Sequence, residues 1–383
     1  MSANKEISDY RSRIDAVDQE IMKKLEERLD LAQKEAELRQ AEGLPIEDLI
    51  GERARREEIT QNAPEDMATY EKLMYNTISE LSRDHQRKVV VEDTPLVKSI
   101  REAQKNTPKV FPERAVVACQ GVQGAYQQQA CDRLFSMPKI LYMKNFNGVF
   151  AAIDQGLCQY GVLPLENSTA GSVNSIYDLM AKYNCYIVRS VRLKINHCLL
   201  AKPGVRIGDI HEIYSHEQAI LQCEDYLKNF SDLKVTECPN TAVAAEMVAK
   251  SDRKDVAALA SLESGQLYGL NCIEESVQDN GNNYTRFICI SKKLEIYPGA
   301  NKTSLLLSVA HKPGALYSVL SRLYTLDINM SKLESRPIPD RDFVYRFYFD
   351  IEAEAYSDKF IRLMNQTEQI SEDLRYLGSY NEV

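Results

Sequence analysis

Three polar clusters in the middle of the chain carry side chains able to hold a small ligand: Asn167-Ser168-Thr169, Ser215-His216-Glu217-Gln218 and Asn283-Tyr284-Thr285-Arg286-Phe287. Each stands just after or within a strand-like run, and in α/β sheets such strand ends are where ligands bind. Most of these groups are neutral hydrogen-bond donors and acceptors, with one guanidinium, Arg286, and one imidazole, His216. Only the imidazole titrates near neutrality, and a lone His is more often structural than reactive. Upstream, Gly121-Val122-Gln123-Gly124-Ala125-Tyr126 follows the apolar run 115–119 and opens a helix. Free N–H groups at such a turn suit an anion. The complete G-x-G-x-x-G dinucleotide fingerprint is missing, and alone the turn is no more than a tight connection.

A second group of residues lies near the start of the chain. Arg28 and Arg39 sit on or beside a face marked by Ile14, Ile21 and Leu25. Eleven residues separate them, which is about 20° around a helix, so they can converge on one ligand. Arg11 is about 100° from Arg28 and suits a site made with a second copy of the helix. Spacing alone favours the blander reading, surface pairing to Asp15, Asp18, Asp30 or Glu35. Two further turns, His311-Lys312-Pro313-Gly314-Ala315-Leu316 and Lys332-Leu333-Glu334-Ser335-Arg336-Pro337, stand near the other end. By themselves they read as a helix start and a strand end carrying a surface cation.

The elements that position these residues follow from chain length and periodicity. A chain of 383 residues exceeds the size at which one core stops growing, so two or three domains are expected. With 44% hydrophobic and 27% charged residues it is an ordinary globular composition. A net charge of -9 argues against a nucleic-acid surface. The nine cysteines form no C-x-x-C pair, which fits buried, reduced thiols rather than a disulfide frame or a zinc site. No apolar run of signal or bilayer-spanning length is present, so no membrane association and a cytoplasmic location are expected.

Residues 6–41 lack Pro and Gly and repeat apolar residues at helical spacing, predicting one helix of about 50 Å that packs along another chain or other long helices. Shorter helices are expected over 48–62 and 65–87, then a connector with a charged helical portion between Pro95 and Pro108. Apolar runs alternating with helical segments over 113–293 predict an α/β module. From residue 300 to the end the order is strand (304–309), helix (314–326), strand (329–335), strand (from Phe343 to Ile351), helix (357–365), strand (374–379), a ferredoxin-like βαββαβ unit. The fold class is therefore multidomain: an all-α module (1–90), a linker (91–112), an α/β module (113–293) and a βαββαβ module (300–383).

Resemblance to known families sharpens each module. The first is similar to the all-helical chorismate mutases, whose pattern matches Arg11, Arg28, Arg39, Asp48, Glu52, Ser82 and Gln86 here. The resemblance implies that guanidinium forks hold the two carboxylates of chorismate in a folded shape while donors at the ether oxygen stabilise charge as the C–O bond breaks. Two departures stand out: the family usually has Lys where Arg39 stands and Arg where Gly51 stands, which removes a cation and puts mutase activity in question. The three polar clusters together resemble the prephenate dehydratase signature, Thr285-Arg286-Phe287 being its most diagnostic part. This implies two α/β lobes with the substrate between them, as in bilobed binding proteins, the lobes being joined by 186–199 and 274–279. Prephenate then loses its ring hydroxyl and its ring carboxylate as CO2, with no metal or cofactor. The resemblance assigns Thr285 to the departing hydroxyl and Arg286 to a substrate carboxylate or to support of the site. Asn167, Ser168, Thr169, Ser215 and Gln218 supply neutral donors beside Phe287, and His216 ranks second as the acid. Gln127 stands where that family commonly has Ser or Thr.

The last module resembles the ACT regulatory domain. That implies a phenylalanine sensor built from Pro313, Gly314, Ala315, Leu316, Asn329, Glu334, Ser335, Arg336 and Pro337, with Glu334 taking the ammonium and backbone N–H groups near Gly314 the carboxylate. Chorismate, prephenate and phenylalanine are thus the expected small-molecule partners. The long helix and a shared sensor interface imply a homodimer or homotetramer. The alternative keeps the dehydratase and makes the helical module a dimerisation element.

Overall fold

The computed structural model describes residues 3–45, 48–87, 93–338 and 345–383. The expected strand start at Phe343 and the junction between the helical module and the connector, residues 88–92, lie outside the described residues. The chain divides into two compact units, Met1–Asp93 and Thr94–Val383.

The first unit holds helices Ala3–Ala41, Leu49–Asn62 and Ala68–Arg87. Asp48 starts the second by accepting the Gly51 N–H at 2.9 Å. The C-terminal half of the long helix packs on Ala68–Arg87, burying Ala36 completely. Its N-terminal half differs from the sequence expectation. Ile14 and Ile21, read as a buried face, are 58% and 38% exposed within the single chain. The apolar stripe continues along the helix, but the two short helices that could cover it reach only the second half.

In the second unit, helix Pro95–Asn106 begins at a Thr94 cap with Pro in the first turn. Its apolar face, Val97 and Ile100, is fully buried in the core of the last module with Leu305, Leu307, Phe349 and Phe360. A segment that reads as a connector is thus part of a hydrophobic core.

Two sheets follow. The first is six-stranded; strands Arg114–Gln120, Met137–Met143 and Tyr160–Asn167 run parallel, and Tyr284–Ser291 lies antiparallel between Tyr160–Asn167 and Tyr186–Lys194. The second, five-stranded, contains Cys198–Ala201, Glu212–Ser215, Lys234–Glu237, Val256–Ala260 and Asn271–Glu274. The chain passes between the sheets at 195–197 and returns over 275–283, which makes two α/β lobes. Eight of the nine cysteines are buried, and Cys272 is partly so.

The last module forms strand, helix, strand, strand, helix, strand: Lys302–Ser308, Ala315–Thr325, Asn329–Pro337, Tyr345–Glu352, Asp358–Ile370 and Asp373–Tyr380. Its four strands pair antiparallel, with Lys302–Ser308 and Tyr345–Glu352 central. This sheet lies against the first lobe: Leu306, Tyr348 and Leu377 share a core with Leu163, Ile288 and Ile290. At Gly378 the approach is so close that a Cβ would sit 2.2 Å from the Ile187 carbonyl oxygen.

Candidate functional site

The site begins with a register. In the ladder between Tyr160–Asn167 and Tyr284–Ser291, Thr285 stands opposite Asn167. The Asn167 amide donates to Thr285 Oγ1 at 3.0 Å and to Asn283 Oδ1 at 2.7 Å. Its carbonyl oxygen accepts from the Thr169 N–H and hydroxyl (3.0 and 2.7 Å) and from the Ala170 N–H at 2.8 Å. An Asn side chain with both ends occupied has one orientation, so the turn 167–170 fixes the donor that meets Thr285.

The second lobe completes the constellation through a residue that sequence reasoning missed. Gln222, at the end of helix Glu217–Gln222, accepts from Asn283 Nδ2 at 2.8 Å and donates to Thr169 Oγ1 at 3.0 Å. Gln218 is one turn earlier, on the same side of that helix. His197, in the crossing between lobes, meets Gln222 Oε1 through Nε2 at 3.1 Å, while its backbone N–H donates to Gln278 Oε1 at 2.9 Å. In the sequence Asn283 stands out only as part of a motif, and His197 and Gln222 lie in segments that read as plain strand and helix. Their importance depends on where the chain crosses between the lobes, which local pattern does not reveal.

The other expected residues are distributed around this centre. Ser168 Oγ donates to the Asn282 carbonyl at 2.8 Å and accepts from the Tyr284 N–H at 2.9 Å, a clamp between the two strands. Ser215 is completely buried and donates to the Leu259 carbonyl at 2.7 Å, so its hydroxyl is spent inside the second sheet. His216 caps the helix that carries Gln218, its Nδ1 accepting the Gln218 N–H at 3.3 Å. Burial holds its pKa below the ordinary imidazole value. Burial therefore disfavours the imidazolium relative to the neutral ring. Phe287 packs in the apolar core of the first lobe with Val117, Val162 and Val191.

Of the two roles expected for Arg286, a contact to a substrate carboxylate or support of the site, its surroundings suit the second. It occupies the face opposite Thr285, is 8% exposed, and pairs with Asp350 and with Glu166, the latter at 2.8 Å. Successive strand residues alternate in direction, so a ligand beside Thr285 is out of its reach.

The Gly-rich turn bridges the lobes. Gly121 and Gly124 adopt φ of 111° and 88°, and the Gly124 carbonyl accepts from Ser264 Oγ at 2.9 Å. The Tyr126 hydroxyl donates to the Asn196 carbonyl at 2.6 Å, and its burial raises its pKa. Gln127, at the position of the family departure, donates to Gln120 Oε1 at 2.9 Å.

In the helical unit, Arg28 donates to Ser82 Oγ, and Gln86 donates to the Ala32 carbonyl at 2.9 Å. Arg39 reaches Glu35 at 3.1 Å and Asp48 at 3.3 Å, and Glu52 pairs with Arg83 at 2.7 Å. Six of the seven expected residues therefore line the junction of the three helices. Arg11 lies on the exposed half, about 25 Å along the helix axis from Arg28. Arg53, neighbour of Gly51, faces solvent against Glu57. Arg55, one turn beyond Gly51, lines a cavity of about 430 Å³ with Tyr75, over whose ring Arg28 lies at 6.0 Å. In the sensor-like module the turn 313–316 opens helix Ala315–Thr325, with Gly314 at φ 82°. Asn329 donates to Glu352 at 2.9 Å, while Glu334 and Arg336 face the first lobe, on Ser172 and Asp178. Ser335 and Pro337 point to the exposed side.

A helical unit followed by two α/β lobes bridged by hydrogen-bonded polar side chains is the layout of an enzyme acting on a small polar molecule. The family model for prephenate dehydratase matches residues 117–295, and that for type II chorismate mutase matches 10–87. The chain is 35% identical, over 76% of its length and 80% of the relative's, to arogenate dehydratase/prephenate dehydratase 2 of Arabidopsis thaliana. It is 30% identical, over 97% of its length and 94% of the relative's, to the bifunctional chorismate mutase/prephenate dehydratase of Enterobacter agglomerans. A crystal structure of prephenate dehydratase in complex with L-Phe from Arthrobacter aurescens superposes with a TM-score of 0.64 at 27% identity, covering 70% of this chain and 89% of that one. The chain belongs to the bifunctional chorismate mutase/prephenate dehydratase family.

Proposed function

We propose that this chain rearranges chorismate to prephenate in its helical unit, converts prephenate to phenylpyruvate in the cleft between its lobes, and is inhibited by phenylalanine through its last module. The observation that carries the dehydratase reading is the Asn167–Thr285 hydrogen bond at 3.0 Å, formed by residues far apart in the chain. With Asn167 donating to it, the Thr285 oxygen is engaged as an acceptor and its O–H remains to donate. A donor held in that way assists hydroxide departure as the ring becomes aromatic: the C–O pair leaves with the hydroxide, and the C–C bonding pair stays behind to complete the ring as CO2 is released. Arg286 supports the strand from behind.

For the mutase, Arg28, Arg39, Ser82 and Gln86 supply the donors for a dianionic ether. Arg11 serves the equivalent site of a second copy, whose long helix covers Ile14 and Ile21, so the working form is a homodimer or a larger even assembly. The βαββαβ module, ferredoxin-like in strand order, acts as an ACT-type sensor, a reading supported by the complex that the Arthrobacter aurescens prephenate dehydratase forms with L-Phe. The cytoplasm is the expected location; no helix among the described residues is long and apolar enough to cross a membrane.

Chorismate added to the purified protein should yield phenylpyruvate, read from its enol absorbance in alkali. Accumulation of prephenate would defeat the dehydratase reading. Consumption of prephenate but not chorismate would favour a decayed mutase, to which Gly51 points. Because the Arabidopsis relative is named for arogenate as well, the same assay with arogenate separates the two dehydratase substrates.

A further inference from the structure

Glu166 and Arg286 are the chain neighbours of Asn167 and Thr285, and they stand opposite each other in the same ladder. Since adjacent strand residues point to opposite faces, the groups that hold Glu166 and Arg286 from behind also set the cleft pair in front. Those groups belong to the last module. Asp350, 2% exposed, pairs with Arg286 and is itself held by Ser304 Oγ at 2.5 Å, which is 2.8 Å from the Tyr380 hydroxyl. Lys332 pairs with Glu166 and donates to Ser172 Oγ at 2.8 Å. Ser172 stands opposite Glu166 in a short ladder, and its hydroxyl donates to Glu334 Oε2 at 2.9 Å.

Two cations and two anions thus form a neutral, largely dehydrated cluster, and a hydroxyl extends it to Glu334. Such clusters are stiff because removing one member leaves its partners charged and unsolvated.

We propose that Lys332, Glu166, Arg286 and Asp350 form the coupling element between sensor and cleft, positioning Asn167 and Thr285 without touching substrate. The proposal rests on the reading of the last module as a phenylalanine sensor in which Glu334 takes the ammonium group. An ammonium at Glu334 competes with Ser172 for the carboxylate. The freed Ser172 hydroxyl then reorganises around Lys332, Lys332 shifts on Glu166, and the Asn167–Thr285 register shifts with it. This supplies the two-state element that allostery requires, biased at one end by ligand and at the other by substrate.

The test uses full-length protein, steady-state prephenate turnover and a phenylalanine titration, with circular dichroism to check folding. Lys332→Gln should raise the half-inhibitory phenylalanine concentration by about tenfold or more, with inhibition read relative to the variant's own uninhibited kcat. Ser172→Ala should shift it in the same direction. Arg286→Lys should lower kcat by at least about tenfold with KM nearly unchanged, as a misplaced donor does. Arg286→Lys that raises KM and spares kcat would make Arg286 a substrate contact and overturn the proposal. So would wild-type inhibition in both Lys332→Gln and Ser172→Ala, with the sensor reading intact. Wild-type protein indifferent to phenylalanine would remove the sensor reading and the coupling with it.

Discussion

Thr285 is 8% exposed and its oxygen accepts the Asn167 amide at 3.0 Å, which leaves its O–H free to donate elsewhere. Thr285→Ala should lower the rate of prephenate dehydration by about 10²–10³-fold, the usual effect of losing one preorganised donor. Chorismate consumption should stay unchanged, since that site is in the other unit. Thr285→Ser should recover most of the rate. His197 gives a prediction about pH. Burial holds it below its ordinary value of 6.5, so the folded chain refuses a proton that the unfolded chain accepts. The sign follows: above pH 6.5 His197 carries no penalty, and as pH falls from 6.5 toward its folded value the protein loses stability, by up to about 1.4 kcal/mol per unit. Urea unfolding at pH 7.5 and 5.0 should show a smaller pH-dependent loss in His197→Gln than in wild type. An unchanged loss would assign it to other groups.

At the scale of elements, strand Asp373–Tyr380 meets strand Tyr186–Lys194 through a backbone contact that leaves no room for a side chain. Gly378 combines φ of 130° with a Cβ position 2.2 Å from the Ile187 oxygen. Gly378→Ala should cost about 2–4 kcal/mol in chemical denaturation, from strain and clash together. The same contact ties the last module to the lobe carrying Thr285, so the variant should also blunt phenylalanine inhibition. Helix Pro95–Asn106 is the other element whose role depends on packing. Its Pro, charges and flanking Pro108 read as a linker, yet Val97 and Ile100 fill the last module's core. An isolated twelve-residue helix is marginal in water, and it is tertiary burial that makes it an integral element.

On the scale of the molecule, the division at residue 93 separates a helical unit from a unit in which lobes and last module share cores. Residues 94–383 expressed alone should therefore fold and dehydrate prephenate within about threefold of the intact chain, as an independently cored unit does. Residues 113–383 should not, because the loss of Val97 and Ile100 opens a cavity among Leu305, Phe349 and Phe360. Soluble expression and turnover of both fragments check this. Equal behaviour of the two would return the helix to the status of a connector.

Local pattern is enough to read the three modules, nearly every strand, and the polar clusters at 167, 215 and 285, because apolar periodicity and turn chemistry act over a few residues. Within those clusters it is the resemblance to the dehydratase signature, not local pattern, that points to Thr285 and Asn167. Local pattern does not reveal that Gln222, Asn283 and His197 complete the cleft, since those contacts depend on where two sheets exchange the chain. Nor does it show that Arg286 turns its back on Thr285 and pairs with a residue sixty-four positions away. A sequence displays which side chains exist and which way they alternate; the face on which a neighbouring module presents a carboxylate is settled only when sheets stack.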